Sequence, residues 1–306
     1  MRSLSAILIL CILAGCSSLP DADNITGFGS AVEQSSQSLE TIAAENIRVA
    51  LLSDQEKEAV KYIRGAPDYN VISRPVYRIA ESEFAFRRTQ LRALASYGAA
   101  LKQAADPKKL QEIEAASSKL AAAVGGFVGT FAPAATVATP IINAAGKGAS
   151  MAISNRYAHR INTLIVETDP YVQAAVRNLK SDFKTINTNS RRRLDAYQKN
   201  SWAALSEVRS KQVETKSPDG QVTAALQSRD PDHLAPLYSQ FIDANQRIVE
   251  ATVAVEAAEK AEEALDKIAA AHSALKENTA TSAPSIEDLL SFSDNLTALV
   301  SAAKGK

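Results

Sequence analysis

Within residues 231–277, Phe241, Ala244, Ile248, Ala251, Val255 and Ala258 alternate at spacings of three and four, and Leu265, Ala269 and His272 resume the pattern after Glu262 interrupts it. Only an α-helix places such positions on one face. The result is a heptad-like seam whose alanines let a second helix approach closely. Val172, Val176, Leu179, Phe183 and Ile186 form a similar stripe, continued by Leu194, Tyr197 and Leu205 after a slip. Phe84, Leu91, Ala95, Gly98 and Leu101 form a third. Several long stripes of this kind predict an all-α protein, an elongated antiparallel helical bundle with coiled-coil-like seams.

Composition agrees. Alanine is abundant, and 12 Gly and 11 Pro among 306 residues leave room for long uninterrupted helices. β-branched residues do not gather into runs, so no strand of useful length is expected. Helices are expected at about 30–64, 75–104, 107–124, 141–168, 170–213, 231–277 and 285–303. Ser53-Asp54-Gln55-Glu56 fits a capping box, either as a start or as a break within a longer helix. Asp106-Pro107, Asp169-Pro170 and Asp230-Pro231 each set a cap acceptor before a proline suited to a first helical turn. Ser285 with Asp288 repeats the logic.

The N-terminus has a different character. Arg2 precedes an apolar run from Leu4 to Leu13, too short for the roughly 20 residues that a spanning helix needs. It ends in Leu13-Ala14-Gly15-Cys16, which resembles the lipobox of bacterial lipoproteins. The resemblance covers residues 1–17 and implies that 1–15 are a removed leader and that Cys16 carries diacylglycerol. By resemblance to Gram-negative lipoproteins, Ser17 in place of Asp implies an outer-membrane, periplasm-facing location. In a cell with one membrane, the outer face of that membrane is implied instead. Residues 16–29 (CSSLPDADNITGFG) are polar and Gly-bearing and are expected to form a flexible tether, with 30–306 as the bundle domain. Cys11 lies in the leader, so the mature chain keeps one cysteine and no internal disulfide is expected.

Charge limits the partners. Loss of the leader removes Arg2 and leaves 33 basic against 34 acidic side chains, a balance unsuited to nucleic-acid binding. Leu120 to Gly146 holds no charged residue and is punctuated by Gly125, Gly126, Gly129, Pro133 and Pro140. Three readings stay open for this hairpin: a Gly/Ala-rich element in or at the tip of the bundle, a membrane-inserting hairpin, or a partner-binding patch. The second is similar in outline to the head of α-helical pore-forming toxins. Phe127, Phe131, Val137 and Ile141 are the candidate membrane or partner contacts.

Signals of catalysis are weak. His159, His233 and His272 have no partner at metal-ligand spacing, and His159 and His272 fall on helical patterns as surface or seam positions. Ser181-Asp182-Phe183-Lys184 fits S-x-x-K and Ser293-Asp294-Asn295 reads S-D-N, but the K-T-G element is missing and Ser273-Ala274-Leu275-Lys276 matches equally well. Gly146-Lys147-Gly148 lacks the residues of a phosphate loop. Arg191, Arg192 and Arg193 point about 100° apart on a helix and read as a solvated face. No enzyme, cofactor or metal is expected. The expected function is a lipid-anchored envelope scaffold that engages another protein, the alternative a membrane-active protein inserting 120–146. The oligomeric state is not determined by the sequence.

Overall fold

The computed structural model describes residues 21–69, 74–105, 122–123, 125–126, 129, 150–216, 222–224, 231–277 and 282–303. Over these residues the protein is an all-α bundle. Its long helices are α1 (Ala22–Ile63), α2 (Arg74–Ala105), α3 (Ser150–Val213), α4 (Pro231–Glu277) and α5 (Ser282–Ala303). Two three-residue strands, β1 (Glu214–Lys216) and β2 (Val222–Ala224), pair antiparallel with Thr215 opposite Thr223. Strands so short leave no readable alternation in sequence.

Helix α1 begins eight residues before its expected start. Asp21 caps it: the Asp23 N–H donates to Asp21 Oδ1 at 3.3 Å and the Ile25 N–H to the Asp21 carbonyl at 3.1 Å. Residues 22–29 are therefore helix, with Ile25 and Phe28 buried, and they correct the tether reading for that stretch. The capping-box signal at Ser53 does not break α1. At the other end, Gly65 adopts φ 75° and α1 closes with the Ala66 N–H on the Lys61 carbonyl and the Gly65 N–H on the Tyr62 carbonyl. This Schellman turn requires a residue that tolerates the left-handed region.

Asp169-Pro170 is likewise no boundary. Helix α3 runs through Pro170 without ending, and Asp169 turns inward instead of capping. By contrast, α4 starts at Pro231 and α2 spans 74–105, close to expectation. Asp106-Pro107 lies outside the described residues.

The chain divides into two compact units. Unit 1 takes Met1–Glu33, Ala93–Val176 and Asp266–Ser291; unit 2 takes Gln34–Arg92, Arg177–Leu265 and Phe292–Lys306. In unit 1, α1 and α2 pack antiparallel at a glycine pair. A Cβ on Gly29 would lie 2.5 Å from the Gly98 carbonyl oxygen and 2.7 Å from the Lys102 nitrogen, and one on Gly98 2.7 Å from the Gly29 oxygen. A Cβ on Gly27 would instead meet a side chain, the Ile286 methyl group of α5 at 3.0 Å. These glycines serve close packing, not flexibility.

The core of unit 2 gathers Val49, Tyr197, Ala251, Ala254 and Val255 with Ala303, and Leu52, Leu194, Ile248 and Val253 pack against it. The seam of α4 thus holds from Ala244 onward. Phe241, expected within it, is 45% exposed. Ion pairs trim the surface: Arg92 with Glu40 at 2.8 Å and Arg87 with Asp182 at 2.9 Å. Exposed pairs of this kind contribute about 0–1 kcal/mol each.

Replacing Gly29 with Ala gains helix propensity but drives a methyl group into backbone, which does not yield as a side chain does. The variant should be less stable by about 1–3 kcal/mol. A urea midpoint equal to or above that of the parent protein would show that the two helices separate at no cost.

Candidate functional site

Unit 1 encloses a polar array that no local motif announces. His272 lies on the inner face of α4 and is fully buried, as are Tyr97 of α2 and Thr168 of α3; Asp169, beside Thr168, is 7% exposed. His272 Nδ1 stands 3.0 Å from Asp169 Oδ1, and Nε2 stands 2.9 Å from the Tyr97 hydroxyl. That hydroxyl is 2.9 Å from Thr168 Oγ1, which donates to the Leu164 carbonyl at 2.7 Å. Lys276, one turn beyond His272, donates to Asp169 Oδ2 at 2.7 Å. Gln173 Nε2 reaches Asp169 Oδ1, the Ala269 carbonyl and Ser273 Oγ. The Phe28 ring of α1 stands edge-on to the imidazole at 5.3 Å.

Charge fixes the tautomer. The hydrogen bond from His272, helped by Lys276 and Gln173, holds the Asp169 carboxyl well below the usual carboxylate range, so it accepts only. Nδ1 must therefore carry hydrogen. In the neutral ring Nε2 accepts from the Tyr97 O–H, and Thr168 can turn its single hydrogen from the Leu164 carbonyl to the Tyr97 oxygen. If the ring gains a second proton, Nε2 donates, Tyr97 turns its hydrogen to Thr168, and Thr168 gives its own to Leu164. Hydroxyl rotation alone satisfies both states. Burial pushes the His272 ring below its ordinary value, against the pull of Asp169 and with the push of Lys276. Burial likewise raises the Tyr97 phenol.

The array ties α2, α3 and α4 together. Its order, carboxylate to imidazole to hydroxyl, resembles a nucleophile relay in outline, but His272 and Tyr97 are each 0% exposed and present no atom for a substrate to reach.

The other candidates fall elsewhere. Ser181 and Lys184 are exposed on α3, while Ser293 of α5 is buried and its carbonyl accepts from Thr297. Lys276, the lysine of the second S-x-x-K match, is held by Asp169. His159 is exposed, and the side chain of His233 lies outside the described residues. Arg191 pairs with Glu259 and Arg193 with Asp54, leaving the three arginines spread as a solvated face. Phe127, Phe131, Val137, Ile141 and Cys16 all lie outside the described residues. Among the described residues no acidic, His or Cys cluster has metal-binding geometry, and no helix is long and apolar enough to cross a membrane.

Comparison with known protein families, curated proteins and solved structures finds no match to this chain.

The sequence missed Asp169, Tyr97 and Thr168 because their partners are 71 to 175 positions away. The one available signal was His272 itself, a polar residue in an otherwise apolar stripe.

A ring held neutral by burial makes folding oppose protonation. Below the ordinary value of 6.5 the unfolded chain binds a proton that the folded ring does not, so stability falls as pH drops. The loss should set in as pH falls through 6.5 and grow below it. Thermal melts of His272→Gln should lack this acid dependence while starting from a lower midpoint; a slope unchanged by the substitution would assign the effect to another group.

Proposed function

We propose that this protein is a lipid-anchored scaffold of the cell envelope, without enzymatic activity, that holds a helical body at a membrane to engage another protein. The observation that carries the reading is Leu13-Ala14-Gly15-Cys16 at the end of a charged-then-apolar leader. Two or more acyl chains on one residue make a stable anchor, at about 0.8 kcal/mol per buried CH₂. With Ser17 following, the location is the outer membrane, facing the periplasm, in a cell with two membranes.

Partner engagement draws support from unit 2. Tyr238, Phe241, Ile242 and Val249 of α4 and Trp202 of α3 are large apolar side chains that stand 42% to 70% exposed. Single exposed apolar residues are ordinary; four within twelve positions of one helix are the kind of surface that partners cover.

The uncharged run 120–146 favours a second reading, a membrane-active protein that inserts this segment into a bilayer. Release of dye from liposomes by the unlipidated protein would support it over the scaffold.

Cys16→Ser should move the protein from the membrane to the soluble fraction, and mass spectrometry of the mature parent protein should show an acylated first residue. An unmodified Cys16 would remove the basis of the proposal. Tight membrane attachment of the substituted protein would favour insertion by the middle segment.

A further inference from the structure

Several chain connections leave unit 1 at one end. Gly29 sits against Gly98 and Lys102 of the antiparallel α2. Ala22, seven residues earlier, lies about 10 Å further along and so level with Ala105, the last residue of α2. The contact of Phe28 with His272 brings the end of α4 to the same place, five residues on at Glu277. The contact of Gly27 with Ile286 does the same for Ser282, the first residue of α5. Helix α3, aligned by the Tyr97–Thr168 bond, extends from Thr168 back to Ser150 in that direction, over about 27 Å.

We propose that this end of unit 1 faces the bilayer that holds the acyl chains of Cys16. The inference rests on the lipid-anchor reading. Six residue steps separate Cys16 from Ala22, and even a fully extended chain covers at most about 22 Å over that distance. The tether lengthens only if α1 unwinds, which would forfeit the Asp21 cap and the burial of Ile25 and Phe28. The exposed residues at this end, among them Lys102, Gln103 and Glu277, are polar and suit contact with headgroups instead of entry into hydrocarbon.

The test uses the full chain, expressed with its leader and reconstituted in phosphatidylcholine–phosphatidylethanolamine vesicles that carry nitroxide-labelled headgroups. With Cys16 acylated, an introduced cysteine is the sole free thiol for a fluorophore. Gln103→Cys is compared with Ser96→Cys on α2, and Ala283→Cys with Ser291→Cys on α5; all four positions are exposed. The members of each pair lie about 10–12 Å apart along a helix, so Gln103→Cys and Ala283→Cys should each be quenched about twofold or more above their partners. Equal or reversed quenching in both pairs, in protein whose Cys16 is acylated by mass spectrometry, would overturn the inference and leave the anchor standing. Absence of acylation would overturn both. Two helices give the same ordering independently, so misfolding of one variant leaves the other pair to decide.

Discussion

The negative charge of Asp169 is the most demanding feature of the interior. A carboxylate taken out of water is costly unless its oxygens are matched by donors. Here the matching groups come from other parts of the fold: His272 and Lys276 from α4, with Gln173 from the next turn of α3. Tyr97 of α2 then satisfies the far side of the imidazole, and Phe28 of α1 closes over it. Helices α3 and α4 compensate the charge, and α2 and α1 complete the surroundings of the imidazole. The packing of unit 1 follows from that requirement as much as from its apolar surface.

The fold was legible wherever local pattern and tertiary packing agree. The α4 stripe from Ala244 to His272 is buried or half-buried almost as spaced, and Pro231 begins that helix. Local signals misled where packing overruled them. Asp169-Pro170 has the chemistry of a helix start, yet α3 passes through it, because the Asp169 side chain is engaged by α4 and is not available as a cap. The glycines at 27 and 29 read as a flexible tether. They are instead the sites where α1 comes against α5 and α2, and only the partner helices disclose why a side chain is excluded.

Of the candidate site, the residue was visible and its role was not. His272 fell on the seam, and its burial is consistent with that. Its hydrogen bonds, however, reach α2 and α3 across long stretches of chain, which spacing along one segment does not encode. The exposed stretch of α4 shows the complementary problem. Phe241 fits the helical period, but the period names a face and does not supply a neighbour to cover it.

Alanine-rich seams have a weakness that the buried array corrects. Small side chains interlock shallowly, so one alanine helix can slide along another by a heptad and still bury nearly the same surface. Such a slide in α4 would set Leu265 opposite Asp169 where His272 now stands, stranding a carboxylate against a methyl group. Misaligned arrangements that apolar contact alone would tolerate are thereby made unstable, and a single ionic residue acts as the index mark by which otherwise interchangeable turns are aligned.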